Sequence, residues 1–345
     1  MCLEEREMER LTLGFWSGLR RPFSVLAPME DVTDVVFRGI VRAEGAPDVF
    51  FTEFTSADGL CSAGRERVLS RLRYEPDQHP IVAQIWGLSP ECFRRVAAEL
   101  AQLGFDGIDI NMGCPVRKII RKGACGALIQ NPSLAGELIS AAREGAGPLP
   151  VSVKTRIGYG AARVDEWLGY LLQQRISVLT VHGRTVSQQS QGEADWGAVA
   201  RAVRLRDQLG VETLVVGNGD VRTPELFRRR AAESGVDGVM IGRGVLENLF
   251  LFRALRAPED GAADFSLLPE AAKIEYFLRH LARHQQVLQG RGFAMLKKFA
   301  KMYLRGFDGA ARLTEALMRT RTYGEAEDLL ASRLAVAPRA EAHAG

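Results

Sequence analysis

Short apolar runs rich in β-branched residues recur along the chain at intervals of a few tens of residues. Stretches with helical spacing separate most of them, such as residues 91–103 and 133–143. A strand and helix repeated eight times predicts a (β/α)8 TIM barrel in the α/β class. A doubly wound open sheet is the alternative, but its first strand is normally followed by a glycine-rich turn, which Ala27-Pro28-Met29-Glu30 is not. The eight runs are Phe23 to Ala27, Val49 to Thr52, Ile81 to Ile85, Gly107 to Asn111, Val151 to Thr155, Val178 to Val181, Leu214 to Gly217 and Gly238 to Ile241.

The pattern changes after the eighth run. We expect the barrel to occupy residues 21–256 and the stretch 257–269, rich in Pro, Asp, Gly and Ala, to be a linker. Residues 270–332 carry helical spacing alone, which predicts a small C-terminal all-α domain. Residues 333–345 are expected to be a disordered tail, and residues 1–20 form an N-terminal extension without an assigned role.

Composition excludes several classes of protein. With 345 residues, 46% of them hydrophobic, the chain can bury a large core. Its five cysteines are odd in number and lack metal-ligand spacing, which argues against a disulfide framework and against a zinc site. No apolar run reaches the roughly 18 residues of a membrane helix. We therefore expect a soluble, cytoplasmic monomer without a metal or a membrane partner.

Positive charge is concentrated near the C-terminus. The net charge is +3, yet residues 271–323 hold eleven Lys/Arg against three Asp/Glu, a local excess of +8. Lys297, Lys301 and Arg305 fall on one helical stripe, with Lys298 beside them, and can track phosphates there. A basic segment of this kind is typical of a polyanion-binding module, although a solvated helix face is the alternative.

Polar residues follow the predicted strands. In a TIM barrel the active site lies at the C-terminal ends of the strands, so these residues are expected to meet although they are far apart in sequence. A barrel without a site needs none of them at this rim. They are Glu30, Glu53, Gln84, Asn111, Cys114, Lys154, Arg156, His182, Arg184, Asn218, Asp220 and Arg243.

Two glycine-containing turns follow the last two strands. Gly217-Asn-Gly-Asp and Ile241-Gly-Arg-Gly can present backbone N–H groups to an anion, and barrels hold phosphates at this place. Arg243 adds a cation. The turns suit the phosphate of a nucleotide-like cofactor, but a substrate phosphate would fit equally well.

Cys114 lies in a turn directly after an apolar strand, between Gly113 and Pro115. Four cations follow it closely: Arg117, Lys118, Arg121 and Lys122. This setting suits a thiol that exchanges a proton, whereas a turn cysteine without a function is the alternative.

Lys154 and His182 admit more than one role. Lys154 can be a strand-end lysine, a Schiff-base lysine or a cation beside the pyrimidine edge of a flavin, and the last role fits best with Arg156 nearby. His182 can be a core imidazole, but its place between a strand end and Gly183 favours the rim.

These segments resemble one family closely: the tRNA-dihydrouridine synthases, FMN enzymes that reduce uridine in transfer RNA. The similar motifs span residues 25 to 245, and the helical region after residue 270 resembles the RNA-binding domain of the family. The motifs are Ala27-Pro28-Met29, Thr52-Glu53, Ala83-Gln84-Ile85, Asn111-Met-Gly-Cys-Pro115, Lys122-Gly-Ala124, Val153-Lys-Thr-Arg156, Val181-His-Gly-Arg-Thr185, Gly217-Asn-Gly-Asp220 and Met240-Ile-Gly-Arg243.

The resemblance implies a catalytic cycle. NADPH would reduce FMN, hydride would pass from flavin N5 to C6 of uracil, and Cys114 would protonate C5. The implied substrate residues are Asn111, Arg156 and Arg184 near the base, with Lys297, Lys298, Lys301 and Arg305 toward the tRNA. The implied FMN residues are Pro28, Met29, Glu30, Gln84, Lys154, His182, Asn218, Gly219, Asp220, Gly242 and Arg243.

Two rival functions are compatible with parts of this pattern. One is an FMN barrel oxidoreductase that acts on a free pyrimidine, against which the basic helical region argues. The other is an RNA-binding protein on an inactive barrel, against which the presence of both Cys114 and Lys154 argues. A second cysteine, Cys125, can be a spare thiol, a redox-sensitive group or a residue without a function, and packing is the role expected first.

Overall fold

Nine parallel strands form one sheet within the residues that the structure, a computed structural model, describes: 13–257, 264–288 and 292–337. Their order in the sheet is β1-β9-β8-β7-β6-β5-β4-β2, with β3 paired to β4. A bridge between Val25 and Val49 joins the two ends, and the Leu26 N–H donates to the Val49 carbonyl at 3.0 Å. The sheet is therefore a closed eight-stranded barrel with one extra short strand, as predicted, and the open-sheet alternative is excluded. The strands are β1 (Phe23–Leu26), β2 (Phe50–Phe51), β3 (Thr55–Ser56), β4 (Ile81–Trp86), β5 (Gly107–Met112), β6 (Val151–Arg156), β7 (Val178–His182), β8 (Leu214–Asn218) and β9 (Gly238–Ile241).

Each of the eight predicted runs corresponds to a strand. Their limits differ by one residue or less, because the apolar pattern ends where the polar rim begins. The extra strand β3 was not predicted, since Thr55–Ser56 is too short to show an alternating pattern.

Helices fill the connections between the strands and make up the C-terminal region. Several begin at a capping side chain, because its oxygen accepts the N–H of the third following residue, and Pro follows the cap in three of them. These caps are Ser89, Asn131, Asp195 and Thr223. The helices are α1 (Val35–Gly45), α2 (Ala57–Leu60), α3 (Arg65–Leu69), α4 (Pro90–Gln102), α5 (Arg117–Ile120), α6 (Pro132–Ala146), α7 (Gly169–Leu172), α8 (Trp196–Leu209), α9 (Pro224–Ser234), α10 (Gly244–Glu247), α11 (Leu251–Arg256), α12 (Glu270–Leu288), α13 (Phe293–Leu296), α14 (Ala300–Tyr303), α15 (Ala310–Arg319) and α16 (Tyr323–Val336).

Shorter turns of other helical types complete the connections. The segment Val164–Leu168 is a π-helical turn that leads into α7. The 3₁₀ turns are Gly14–Gly18, Ser70–Leu72, Pro76–Gln78, Cys125–Gln130, Phe265–Leu267 and Lys297–Phe299.

The lower part of the barrel interior is apolar. Alternate residues of each strand point inward, and they form one buried cluster that includes Val25, Phe51, Val82 and Val216. Trp16, on the turn Gly14–Gly18, belongs to this cluster and is 1% exposed, with its ring 5.6 Å from the ring of Phe23. Part of the predicted N-terminal extension thus completes the core; residues 1–12 lie outside the described residues.

Contacts divide the chain into two units. The first contains residues 13–35 and Pro47–Gly242; the second contains Val36–Ala46 and the residues from 243 onward. Within the second unit the Phe37 and Phe299 rings stack at 4.9 Å, so the segment from α1 packs with C-terminal helices. This division falls before residue 256, where the sequence predicts the end of the barrel. Of the predicted linker and tail, residues 258–263 and 338–345 lie outside the described residues.

Buried polar side chains run along α12 in the second unit. Lys273 donates from Nζ to the Ser266 carbonyl at 2.7 Å, and His280 Nδ1 lies 3.1 Å from the Tyr303 hydroxyl. His284 Nδ1 lies 2.7 Å from the Tyr323 hydroxyl. These contacts satisfy groups that would otherwise be costly to bury. No helix in the described ranges is both long and apolar enough to cross a membrane.

Replacing Trp16 tests its place in the barrel core. We expect Trp16→Ala to lower the free energy of unfolding by about 3–5 kcal/mol, because it leaves a cavity among apolar side chains. Urea unfolding followed by circular dichroism measures this. Trp16→Phe, which keeps a ring, is the control and should lose clearly less. A loss below about 1 kcal/mol for Trp16→Ala would contradict the packing role.

Candidate active site

The barrel interior becomes polar at the C-terminal ends of its strands. Asn111 is the register partner of Lys154, and His182 is the partner of both Arg156 and Asn218. Since alternate residues share a face, these side chains lie above the apolar layers that hold Val82 and Val216. The structure thus brings together strand-end residues that the sequence predicted to meet.

A chain of hydrogen bonds links the barrel interior to the Cys114 turn. Gln84 Nε2 donates to Asp109 Oδ2 at 2.7 Å, and Asn111 Nδ2 donates to Gln84 Oε1 at 3.0 Å. Asn111 Oδ1 accepts the N–H groups of Gly113 at 3.1 Å and Cys114 at 3.0 Å. The turn that presents Cys114 is therefore held by side chains from β4 and β5.

Asp109 is the member of this chain that sequence reasoning missed. It is fully buried, and its Oδ1 accepts a hydrogen bond from Ser152 Oγ at 2.6 Å. Burial raises its pKa to about 6, against the opposing effects of the Ser152 and Gln84 hydrogen bonds and of the Lys154 charge. The sequence feature that could have identified Asp109 is its position as a carboxylate inside the otherwise apolar run Gly107-Ile-Asp-Ile.

Cys114 is almost buried, at 9% exposure. A hydrogen bond with the Cys125 thiol lowers its pKa to about 7; the Val116 N–H and the Arg156 charge act in the same direction, whereas burial and the Glu30 charge oppose them. A thiol with this pKa can give up a proton near neutral pH. Cys114 is thus suited to act as an acid.

Cys125 is held directly behind Cys114. The Gly126 N–H donates to the Cys114 carbonyl at 3.3 Å, and a Cβ on Gly126 would lie 3.0 Å from that oxygen. Cys125 itself adopts φ 54°, which is unusual for a residue with a side chain. Burial raises the pKa of its thiol well above the usual value, so Cys125 stays protonated and can donate to Cys114. Its role therefore extends beyond the packing that the sequence suggested.

Lys154 provides a half-buried cation at the strand ends. Its Nζ donates to Asn218 Oδ1 at 3.2 Å, and Asn218 Nδ2 donates to the Met240 carbonyl at 2.8 Å. Burial lowers the pKa of Lys154 to about 8, with the Arg156 charge acting in the same direction and Asp109 opposing. The ammonium group remains mostly charged at neutral pH.

Arg156 joins the Cys114 turn to the connection after β7. Its Nε donates to the Gly113 carbonyl at 2.7 Å, and its Nη1 donates to the carbonyls of Thr185 at 2.9 Å and Gln189 at 2.7 Å. Much of its guanidinium is therefore engaged by the backbone. Its predicted contact with the base stays a prediction.

Arg184 is also engaged by the protein. Its Nη2 forms an ion pair with Asp220 Oδ2 at 2.6 Å and donates to the Gly192 carbonyl, while Nη1 lies 3.2 Å from His182 Nε2. Because a guanidinium can only donate, His182 Nε2 accepts this hydrogen bond. Arg184 thus orients both His182 and the turn after β8, and its predicted contact with uracil stays a prediction.

The connection after β1 holds a cluster of carboxylates. Glu30 pairs with Arg71 at 2.6 Å, and the Asp31 N–H donates to Glu53 Oε1 at 2.7 Å. Burial raises the pKa of Glu53 to about 7, and the Asp34 charge adds to the effect. Met29, predicted to touch the cofactor, is fixed because Thr33 Oγ1 accepts its N–H at 2.8 Å. The preceding predicted residue, Pro28, is the second residue after the end of β1.

The turn after β8 contains two successive residues with positive φ angles. Gly219 adopts φ 138° and Asp220 adopts φ 54°. The Asp220 side chain accepts hydrogen bonds from Arg184 and from the Ala194 N–H at 2.9 Å, so its carboxylate is already used inside the protein. Gly242 follows β9 and ends the first unit, and Arg243 is an exposed residue that begins the second.

The cations of the predicted basic stripe in the C-terminal region differ in their exposure and in their hydrogen bonds. A helical turn ends at Tyr303, and Arg305 comes after it, where its Nη2 donates to the Glu247 carbonyl. Lys297 Nζ donates to the carbonyls of Met318 at 3.0 Å and of Thr320. Lys298 and Lys301 are exposed. Phe299 and Tyr303, which are interleaved with these cations, are buried and therefore pack inside the second unit.

A second basic patch lies beside Cys114, on the connection that contains α5. Its four cations are exposed and form no ion pair with the described residues, and no Asp or Glu occurs between residues 112 and 130. Other barrel arginines, such as Arg65 and Arg94, pair with a glutamate. We call Arg117, Lys118, Arg121 and Lys122 the catalytic-loop patch.

Titration of Cys114 tests this geometry. We expect its alkylation by iodoacetamide, followed on the Cys114 peptide by mass spectrometry, to rise with pH with a midpoint near 7. Cys125→Ala should move the midpoint upward by about one pH unit, because the thiolate loses a hydrogen-bond donor. Cys92→Ala, at a cysteine away from this turn, is the matched control and should leave the midpoint unchanged. An unchanged midpoint in Cys125→Ala would contradict the assigned contact.

No group of three or more His, Cys, Asp or Glu suited to a metal ion occurs in the part of the chain that the structure describes. The described cysteines, Cys61, Cys92, Cys114 and Cys125, are free thiols.

Comparisons with known proteins identify the family. A solved "2-Naphthoyl-CoA Reductase-2-Naphthoyl-CoA complex" aligns with a TM-score of 0.53 at 11% identity over 75% of this chain and 54% of that chain, which supports the fold alone. "Probable tRNA-dihydrouridine synthase 2" of Bacillus subtilis (strain 168) is 44% identical over 326 residues, 93% of this chain and 96% of that protein. "Probable tRNA-dihydrouridine synthase" of Staphylococcus aureus (strain Mu50) is 42% identical over 321 residues, 92% of this chain and 94% of that protein. A family model described as dihydrouridine synthase (Dus) matches residues 25–338, and the chain therefore belongs to this family.

Proposed function

We propose that this protein reduces uridines in tRNA to dihydrouridine, with FMN as its cofactor and NADPH as the source of electrons. The observation that carries the proposal is Cys114, an acid with a pKa of about 7 in a turn at the strand ends of a barrel. Membership of the dihydrouridine synthase family and the names of the relatives, tRNA-dihydrouridine synthases, support the reaction and the substrate.

The polar strand ends fit a flavin. Lys154 is a half-buried cation whose described hydrogen bond goes to the neutral amide oxygen of Asn218, with the Asp109 charge nearby. An anionic ligand would further offset the cost of removing it from water. The amides of Gln84 and Asn218 are used inside the protein and hold Asn111 and Lys154 in place. In this proposal the turn at Gly219 provides backbone N–H groups for the phosphate. When bound, FMN would supply hydride, from N5 to C6 of uracil. In this proposal Lys154 stabilises negative charge on the ring edge.

Cys114 supplies the proton that completes the reduction at C5. The thiolate that remains is stabilised by the Cys125 thiol, by the Val116 N–H and by the Arg156 charge. Asn111 fixes the direction of the Cys114 N–H and, with Arg184, defines the space for the base. In this proposal these contacts keep Cys114 in position while one uracil base leaves and the next one enters.

A base inside a folded RNA must leave its stack to reach this turn, at a cost of roughly a few kcal/mol. The catalytic-loop patch can offset part of that cost, because its four exposed cations lie on the same connection as Cys114. The exposed Lys298 and Lys301 and the helices 270–332 form the proposed second contact with tRNA. A free pyrimidine would need neither patch.

Product analysis tests the reaction directly. The purified protein should convert uridine in unmodified tRNA, with NADPH, into a nucleoside that has gained two hydrogens, detected by mass spectrometry after digestion. Cys114→Ala should slow this by about 10²–10⁴-fold, because the general acid is lost, while flavin binding and NADPH oxidation by oxygen persist. Cys92→Ala is the matched control. Undiminished product from Cys114→Ala would remove the thiol from the mechanism.

Charge removal tests the RNA contact. Arg121→Ala with Lys122→Ala should weaken tRNA binding and reduce the slope of log affinity against log salt by about 2, because two phosphate contacts are lost. Arg94→Ala with Arg201→Ala removes equal charge from ion-paired surface residues and should leave the slope unchanged. Filter binding over a salt series measures both. Equal slopes for the two double variants would contradict a role for the catalytic-loop patch.

A further inference from the structure

The barrel interior contains a carboxylate that the proposed chemistry does not use. Asp109 lies two residues before Asn111 on β5 and therefore points to the same face, one layer deeper. It is fully buried, and its two oxygens accept hydrogen bonds from Ser152 and Gln84 at 2.6 and 2.7 Å. An apolar side chain would fill this layer at lower cost, so the carboxylate needs a reason.

The reason lies in the direction of the hydrogen bonds. An ionised carboxylate can only accept, so it fixes Gln84 with Nε2 toward Asp109 and Oε1 toward Asn111. That orientation in turn requires Asn111 to direct Nδ2 toward Gln84 and Oδ1 toward the Gly113 and Cys114 N–H groups. Each amide could be reversed in isolation, but reversal of either one here would oppose two donors or two acceptors.

We propose that Asp109 is a positioning residue for the proton donor: its carboxylate orients the Gln84 and Asn111 amides and thereby fixes the backbone that carries Cys114. It does not touch the reacting atoms in this account. The inference deepens the proposed function, since it concerns the acid of that reaction.

Moving the carboxylate to another position in the series of hydrogen bonds tests whether the direction of those bonds matters. Gln84→Glu places two carboxylates against each other and breaks the first link, whereas Gln84→Glu with Asp109→Asn restores it at the original net charge. In the double variant the asparagine at position 109 can donate to the new carboxylate and accept from Ser152, and Asn111 can still donate as before. Asp109→Asn alone should be mild, because its amide can turn its nitrogen toward Ser152 Oγ.

A second swap is independent of the first. In Asn111→Asp the new carboxylate faces Gln84 Oε1, so two hydrogen-bond acceptors meet. If the Gln84 amide reversed, its Oε1 would instead face the Asp109 carboxylate, which is also an acceptor. Combined with Asp109→Asn, the Gln84 amide can reverse and every link is restored with the opposite direction. The carboxylate at position 111 would still accept the Cys114 N–H.

The readouts are the pH profile of Cys114 alkylation and the urea midpoint of unfolding, both on the full chain. We expect each single variant, Gln84→Glu and Asn111→Asp, to shift the alkylation midpoint upward by about one pH unit, because it breaks a hydrogen bond and adds a carboxylate near the thiol. The first swap restores the original net charge and should return the midpoint close to wild type, whereas the second keeps a carboxylate at position 111 and should return it part of the way. Gln84→Met breaks the same link without adding charge and separates the two causes. It should shift the alkylation midpoint upward if the network positions the thiol, and change the urea midpoint alone if the network has only a structural role.

Unshifted profiles in the folded single variants, or swaps no better than the single variants, would overturn the proposal. If the single variants do not fold, the two double variants provide the test. Folded double variants with an alkylation profile close to wild type support the proposal, and double variants that do not fold overturn it. Alkylation needs neither flavin nor tRNA. A wild-type protein that makes no dihydrouridine would therefore refute the proposed function, while the swap results would still test this inference separately.

Discussion

A buried polar group must find a partner, and this requirement shapes the upper half of the barrel. Asp109 accepts from Ser152 and Gln84, and the bond from Asn111 to Gln84 continues the series up to the Cys114 N–H. The five residues span three strands and one turn, so displacement of any one leaves another unsatisfied at about 1–3 kcal/mol. The barrel interior also holds an apolar cluster, to which Trp16 belongs. A thiol on an otherwise irregular turn thus gains the rigidity of the strands beneath it.

The cations of the site divide between internal and external partners. Arg156 and Arg184 are buried and bind carbonyl groups and Asp220, so they shape the turns around Cys114 and His182. Lys154 has a neutral amide as its hydrogen-bond partner, which leaves its charge for a bound group. The planar, multiply donating guanidinium suits the first task, and the compact ammonium suits the second. At these three positions the residue type agrees with the division between structural and ligand-directed charge.

The sequence predicted the barrel, the eight strand positions and the set of residues at the strand ends, because alternation and spacing are local properties. It did not predict which groups of the protein itself those residues contact. Arg184 and Arg156 were expected near the base, yet their partners Gly192, Gln189 and Thr185 lie on a connection whose path depends on the whole fold. Asp109 was missed because a single carboxylate in an apolar run carries no periodic signal. The packing of Val36–Ala46 with C-terminal helices depends on contacts distant in sequence.

The catalytic-loop patch illustrates why pairing matters more than charge count. The sequence drew attention to residues 271–323, where the excess is +8, but Lys297 and Arg305 of that region bind backbone carbonyls. The four cations after Cys114 give a smaller local excess of positive charge, yet they are exposed and form no ion pair with the described residues. A cation already bonded to protein must break that contact before it meets a phosphate, whereas a solvated one exchanges only water and counterions. Affinity for a polyanion near Cys114 should therefore follow the smaller patch more closely than the larger.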